Sequence, residues 1–217
     1  MVVKRRARAI LNKISFETFP RHVHAFSDLL FEADPTEYND FIEMVGHHAI
    51  EGRGDFVSLY GMLLRDLSRE NEVFKQALLS RILLALRLGL ESSSEKERNE
   101  FLVIVELIGW LCRCNTIPPE AVQGFIESAF IHDTSFSLEA ICRLLTVLKS
   151  SHEKMFESYF DRLVQAWTAR FSNRLRFLIL DLIELRERRW LPRRQPDYLP
   201  MMKLSEFRHY VLKQPTG

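Results

Sequence analysis

The 217-residue chain is long enough for one large or two small domains. Its 47% hydrophobic and 27% charged residues are ordinary globular composition, with 8 Gly and 8 Pro, few for a turn-dense chain. A formal net charge of +1 gives no global field that would commit it to nucleic acid or membrane. Three cysteines, Cys112, Cys114 and Cys142, are too few and odd in number for a disulfide framework and fit a reducing compartment.

Helical periodicity recurs along the chain, with no convincing alternating strand pattern. It predicts helices over 4–13, 18–32, 36–51, 55–69, 71–90, 95–114, 118–131, 136–149, 152–171 and 173–190. Charges interrupt the first stretch before an apolar core builds up, so no signal peptide is read there. Asp34-Pro35-Thr36 breaks the second helix from the third. Gly52-Arg53-Gly54-Asp55 ends the third, with Asp55 offered as the next N-cap. Ser92, Ser93 and Ser94 precede the sixth, with Glu95 and Glu97 in its first turn. The most apolar run, Phe101 to Cys112, contains Glu106 and is too short to span a membrane. Thr116 or Ile117 is expected to cap the seventh ahead of Pro118 and Pro119, and Asp133-Thr134-Ser135 to open the eighth. Pro192 and Pro196 close the tenth, and KLSEFRHYVLK after Pro200 could form a capping helix.

Ten helices with short connections make five antiparallel pairs of about 40 residues, the period of HEAT-type repeats. The expected fold class is all-α: an α-solenoid over residues 1–200, with 201–217 as a C-terminal tail. A globular α bundle is the structural alternative. The few cysteines, the unread signal peptide and the lack of a membrane-length apolar run point to a soluble intracellular protein, and a cytoplasmic monomer is expected.

In the tenth helix, NRLRFLILDLIELRERRWLPRR (Asn173 to Arg194), Arg174, Asp181, Glu184 and Arg188 fall on one narrow stripe. The remaining circumference is mostly apolar, so the helix is expected to be buried on all sides but that one, with Phe177 in the core.

No catalytic constellation stands out. There is neither a Gly-rich phosphate loop nor His-Glu-x-x-His. His47-His48 with Glu51 lacks further ligands at metal-binding spacing, and Cys112 and Cys114, two apart, face nearly opposite sides of a helix. Arg53-Gly54-Asp55 reads as a turn. No catalytic residue, metal or cofactor is expected; a scaffold that grips a partner through Arg and aromatic side chains is.

Four segments, in order, resemble the middle domain of the eukaryotic translation initiation factor 4G family, and the resemblance spans about residues 4–213. They are RRARAILNKISFETF (Arg5 to Phe19), SLEAICRLLTVLKSS (Ser137 to Ser151), SYFDRL (Ser158 to Leu163), and the tenth helix with its Trp190-Leu191-Pro192-Arg193-Arg194 end. Two departures stand out. Phe16 occupies a position where the family often has Pro, Pro20 following Phe19 instead, and the family's acidic and Lys-rich insertion is reduced to Glu91–Asn99, read as a surface loop without a role in the fold.

The resemblance implies an armadillo-type HEAT-repeat scaffold that binds the DEAD-box RNA helicase initiation factor 4A. The scaffold would hold the two helicase lobes and stimulate them by population shift, handling no ATP itself. Residues assigned to that contact are Phe19, Arg174, Arg176, Asp181, Arg186, Trp190, Arg193 and Arg194. Arg174 and Asp181 could instead clasp a neighbouring helix, and Trp190 could cover the end of the last repeat. Lys4, Arg5, Arg6 and Arg8 are the expected RNA contacts. The five tyrosines Tyr38, Tyr60, Tyr159, Tyr198 and Tyr210 all lack the Leu of the family's cap-binding-subunit motif, so that subunit is not expected to bind here. Alternatives are an RNA-binding module or a paralogous helical-repeat regulator of mRNA metabolism.

Overall fold

The structure, a computed structural model, describes residues 2–52, 56–166 and 171–191. Among them are ten α-helices and no strand: α1 (Val2–Leu11), α2 (Phe19–Glu32), α3 (Tyr38–Glu51), α4 (Val57–Glu70), α5 (Glu72–Gly89), α6 (Glu95–Arg113), α7 (Pro119–His132), α8 (Ser135–Leu148), α9 (Glu153–Ala166) and α10 (Asn173–Glu187). All ten expected helices are present, and the fold is the all-α helical repeat read from the periodicity. Asp55, Arg193, Arg194, Pro192, Pro196 and the KLSEFRHYVLK segment lie outside the described residues.

Local chemistry sets the boundaries. Asp34 accepts from the Thr36 amide ahead of a 3₁₀ turn, Pro35–Glu37, which consumes the residues expected to begin α3. Asn71 accepts from the Phe74 amide to start α5 and donates its other side-chain group to Tyr38 Oη. Ser94 and Glu97 form a reciprocal capping box at α6. Glu95–Asn99 is helix, as the predicted span from 95 has it, and because Glu97 stabilises its start the Glu91–Asn99 segment is not without a role in the fold. Thr134 and Ser137 do the same for α8. At α7 the cap is Pro118, not Thr116 or Ile117; Pro119 fills the first helical position, where a missing N–H costs nothing. Phe19-Pro20 likewise starts α2, one residue later than expected.

Consecutive helices pair, and the pairs stack. The even helices α2, α4, α6, α8 and α10 lie against one another in sequence order, as do α1, α3, α5 and α7 in the second layer. Helix α9 joins that layer through Tyr159, whose ring stacks on Phe130 of α7 and whose hydroxyl donates to Glu127 at 2.7 Å. The stacking explains an uneven burial. Helix α6, enclosed by neighbours in both layers, buries Phe101, Leu102, Val105, Leu107, Ile108, Gly109, Trp110, Leu111 and Cys112. Gly61 lets α4 approach α6 closely: a Cβ there would strike the Trp110 ring. Helix α10, covered from one side, buries only Leu175, Ile179 and Leu182. The expectation that α10 is enclosed on all faces but one therefore fails. Phe177, expected in the core, is 64% exposed, because no further even helix among the described residues stacks over it.

A candidate interaction edge on the last repeat

The joints between repeats are closed by arginines. Arg174 of α10 grips Glu139 of α8 with both terminal nitrogens, Nη1 to Oε2 at 2.9 Å and Nη2 to Oε1 at 2.6 Å. Glu139, only 9% exposed, also receives Arg143 Nη2 at 3.4 Å. Arg143 in turn donates to Glu106 of α6 at 2.6 Å. Burial opposes the Arg143 charge, but Glu106 and Glu139 outweigh it and hold its pKa above the ordinary value. One ionic chain thus crosses three successive even helices.

Arg186 does the same within the last pair, between α10 and α9. It donates to Glu153 at 3.0 Å and Glu157 at 2.9 Å on α9 and lies 4.5 Å over the Phe160 ring. Burial opposes its charge, yet the two carboxylates raise its pKa. Arg162 repeats the motif between α9 and α7, paired with Glu127 at 2.8 Å and 4.0 Å over Phe130. Hydrogen bonds from Arg162 and Tyr159 hold Glu127 below the usual carboxylate range.

The expected contact residues accordingly divide. Phe19 (7% exposed) and Trp190 (8%) are core residues. Trp190 is folded back against Phe160, at 6.1 Å, by two consecutive left-handed residues, Arg189 (φ 56°) and Trp190 itself (φ 66°). It covers the end of the last repeat, one of the two roles open to it in the sequence. Arg186 is a joint residue, and Arg174 clasps its neighbour while its side chain stays 73% exposed. Arg176 is half-buried and reaches Asn173 Oδ1 at 3.5 Å. Asp181 is exposed. Glu184 and Arg188 face each other at 3.6 Å.

The structure brings Arg174, Phe177 and Asp181 onto one solvent-facing edge of α10: an arginine, an aromatic ring and a carboxylate along two turns. Phe177 was missed as a surface residue, although the signal was present. It lies three residues after Arg174, inside the angular range of the charged stripe. Glu139, Glu106 and Glu127 were missed because their partners are more than 30 residues away in the chain.

At the other end, Lys4 pairs with Asp40 at 2.5 Å and Arg6 with Glu32 at 2.7 Å. Arg5 and Arg8, also exposed, make no ion pair among the described residues. His47 faces Glu51 at 3.4 Å, whereas His48 bridges the Met44 carbonyl and Asn12 Oδ1, tying α3 to the end of α1. No group of three or more His, Cys, Asp or Glu among the described residues could hold a metal ion. Cys112 and Cys142 are buried thiols, with burial pushing each pKa up to about 12. No described helix is long and apolar enough to cross a membrane.

Stacked helical pairs with joints sealed by side chains and an exposed edge at one end define a helical-repeat domain of the kind that presents surfaces. The chain matches the MIF4G domain family over residues 4–189 and belongs to it. It is 24% identical over 233 residues to eukaryotic translation initiation factor 4G of Triticum aestivum, covering 89% of this chain and 16% of that protein. It is 25% identical over 115 residues to eukaryotic translation initiation factor 4 gamma 1 of Mus musculus, covering 50% of this chain and 7% of that protein. For the Oryctolagus cuniculus counterpart the figures are 29% over 115 residues, 50% and 8%. The chain therefore spans less than a fifth of the length of these relatives.

Proposed function

We propose that this chain is a non-catalytic scaffold module in translation initiation that binds the DEAD-box helicase initiation factor 4A and stimulates it. Membership of the MIF4G family and likeness to initiation factor 4G support the class. The observation that carries the contact is the exposed Phe177, flanked by Arg174 and Asp181 on α10. An aromatic ring left in water beside an arginine is the side-chain combination that anchors protein interfaces. Phe177 thus takes the place that Phe19 and Trp190 hold in the sequence reading, and Arg174 and Asp181 keep theirs. Arg176, Arg193 and Arg194 remain proposed contributors, Arg186 one that acts through the α9–α10 joint. Stimulation needs no chemistry from this chain: contact with both helicase lobes favours their closed arrangement, and the gain is limited to the difference in affinity for the two states.

The test is a pull-down of purified helicase by the purified chain, with and without RNA, followed by the helicase's ATPase rate against chain concentration. Saturable stimulation supports the reading, and a rate unchanged at saturating chain overturns it. A second contact, with RNA, is favoured by Arg5 and Arg8, exposed three residues apart on α1 and unpaired among the described residues.

A further inference from the structure

Helix α10 is lightly anchored. It buries only Leu175, Ile179 and Leu182, whereas α8 beside it buries nine residues. Its first turn is held by the bidentate grip of Arg174 on Glu139. A two-point planar pair fixes direction as well as distance. Arg143, one turn further along α8, also reaches this carboxylate, Nη2 to Oε1 at 3.4 Å, and steadies it from the same helix. Glu139 is also too deeply placed to touch a partner, at 9% exposure.

We propose that Glu139 is a positioning residue for the docking edge: it fixes the pose of α10, and so of Phe177 and Asp181, without entering the contact. This rests on α10 being the docking edge proposed above. Replacing Glu139 by Gln preserves size but removes the charge and one of the two acceptors that Arg174 needs. Helix α10 is then retained by Leu175, Ile179 and Leu182, by the half-buried Leu178, Ile183 and Leu185 packed beside them, and by Arg186 near its far end, and it loosens from the Arg174 end. Glu106→Gln is the control: it breaks the Arg143–Glu106 pair in the same ionic chain but leaves the grip on α10 in place.

The experiment measures, for the wild-type chain, Glu139→Gln and Glu106→Gln, the unfolding midpoint, amide hydrogen exchange along α10 and helicase affinity. Expected for Glu139→Gln is exchange about tenfold faster over residues 173–180 and affinity about fivefold weaker. Glu106→Gln is expected to retain wild-type affinity and α10 protection, even where its midpoint falls equally. Equal losses of affinity in the two variants would reduce Glu139 to a merely structural residue and overturn the inference, as would wild-type exchange and affinity in Glu139→Gln. Where Glu139→Gln does not fold, Arg174→Lys, which keeps the charge but loses the fork, is judged by the same exchange criterion. A wild-type chain that does not bind the helicase sinks the proposed function instead, and the exchange comparison then decides the inference by itself.

Discussion

Truncating Phe177 to Ala separates binding from folding. The ring is 64% exposed, so roughly a third of its surface is covered by its own protein. Full burial of a Phe side chain stabilises by about 1.5–3 kcal/mol. The intramolecular share is then about 0.5–1 kcal/mol, and the larger share, about 1–2 kcal/mol, is realised only when a partner covers the ring. Phe177→Ala should therefore weaken helicase binding by about 5–25-fold while lowering stability by no more than about 1 kcal/mol. Ile179→Ala, two residues on and fully buried, inverts the ratio: it should cost about 2–5 kcal/mol of stability. Calorimetric titration with helicase gives the first quantity and urea unfolding the second. Wild-type affinity in folded Phe177→Ala would refute α10 as the docking edge, and a loss of stability matching that of Ile179→Ala would refute the exposed placement of the ring.

Gly61→Ala should destabilise by about 1–3 kcal/mol, read as a lower urea midpoint, because its Cβ meets the Trp110 ring. At pH 8, Cys112 and Cys142, their pKa values pushed up to about 12, should resist alkylation in the folded chain, with Cys114 modified first. The same two thiols make stability fall with rising pH between about 9 and about 12: the unfolded chain releases their protons from the lower value, while the folded chain keeps them until the upper. Measured unfolding free energy should decline across that window. If α1 meets RNA, removing Arg5 and Arg8 together should lower the slope of log affinity against log salt by about 1.4–1.8, and an unchanged slope would exclude them.

All ten helices were legible in the sequence because helix formation leaves a local record. Apolar residues return every three or four positions, and stops such as Asp34-Pro35 or Ser94 with Glu97 act within one turn. The slips occurred where two local signals competed: Pro35 nucleated a 3₁₀ turn before α3, and Pro118 displaced Thr116 as the cap of α7. Even the edge of α10 was half legible, since the spacing placed Arg174 and Asp181 on one stripe.

What the sequence by itself determined is thus the set of rods, their order, and the family that their motifs resemble. Only the tertiary structure decided which charges are spent on joints and which face solvent. Arg174 and Arg186 look alike along the chain, yet Arg186 is closed over Phe160 between Glu153 and Glu157 while Arg174 stays largely in water around its grip on Glu139. Phe177 reads as core by composition and is surface by position. The reason is physical: periodicity specifies the side of a helix on which a residue lies, but burial depends on whether another helix, distant in the chain, covers that side.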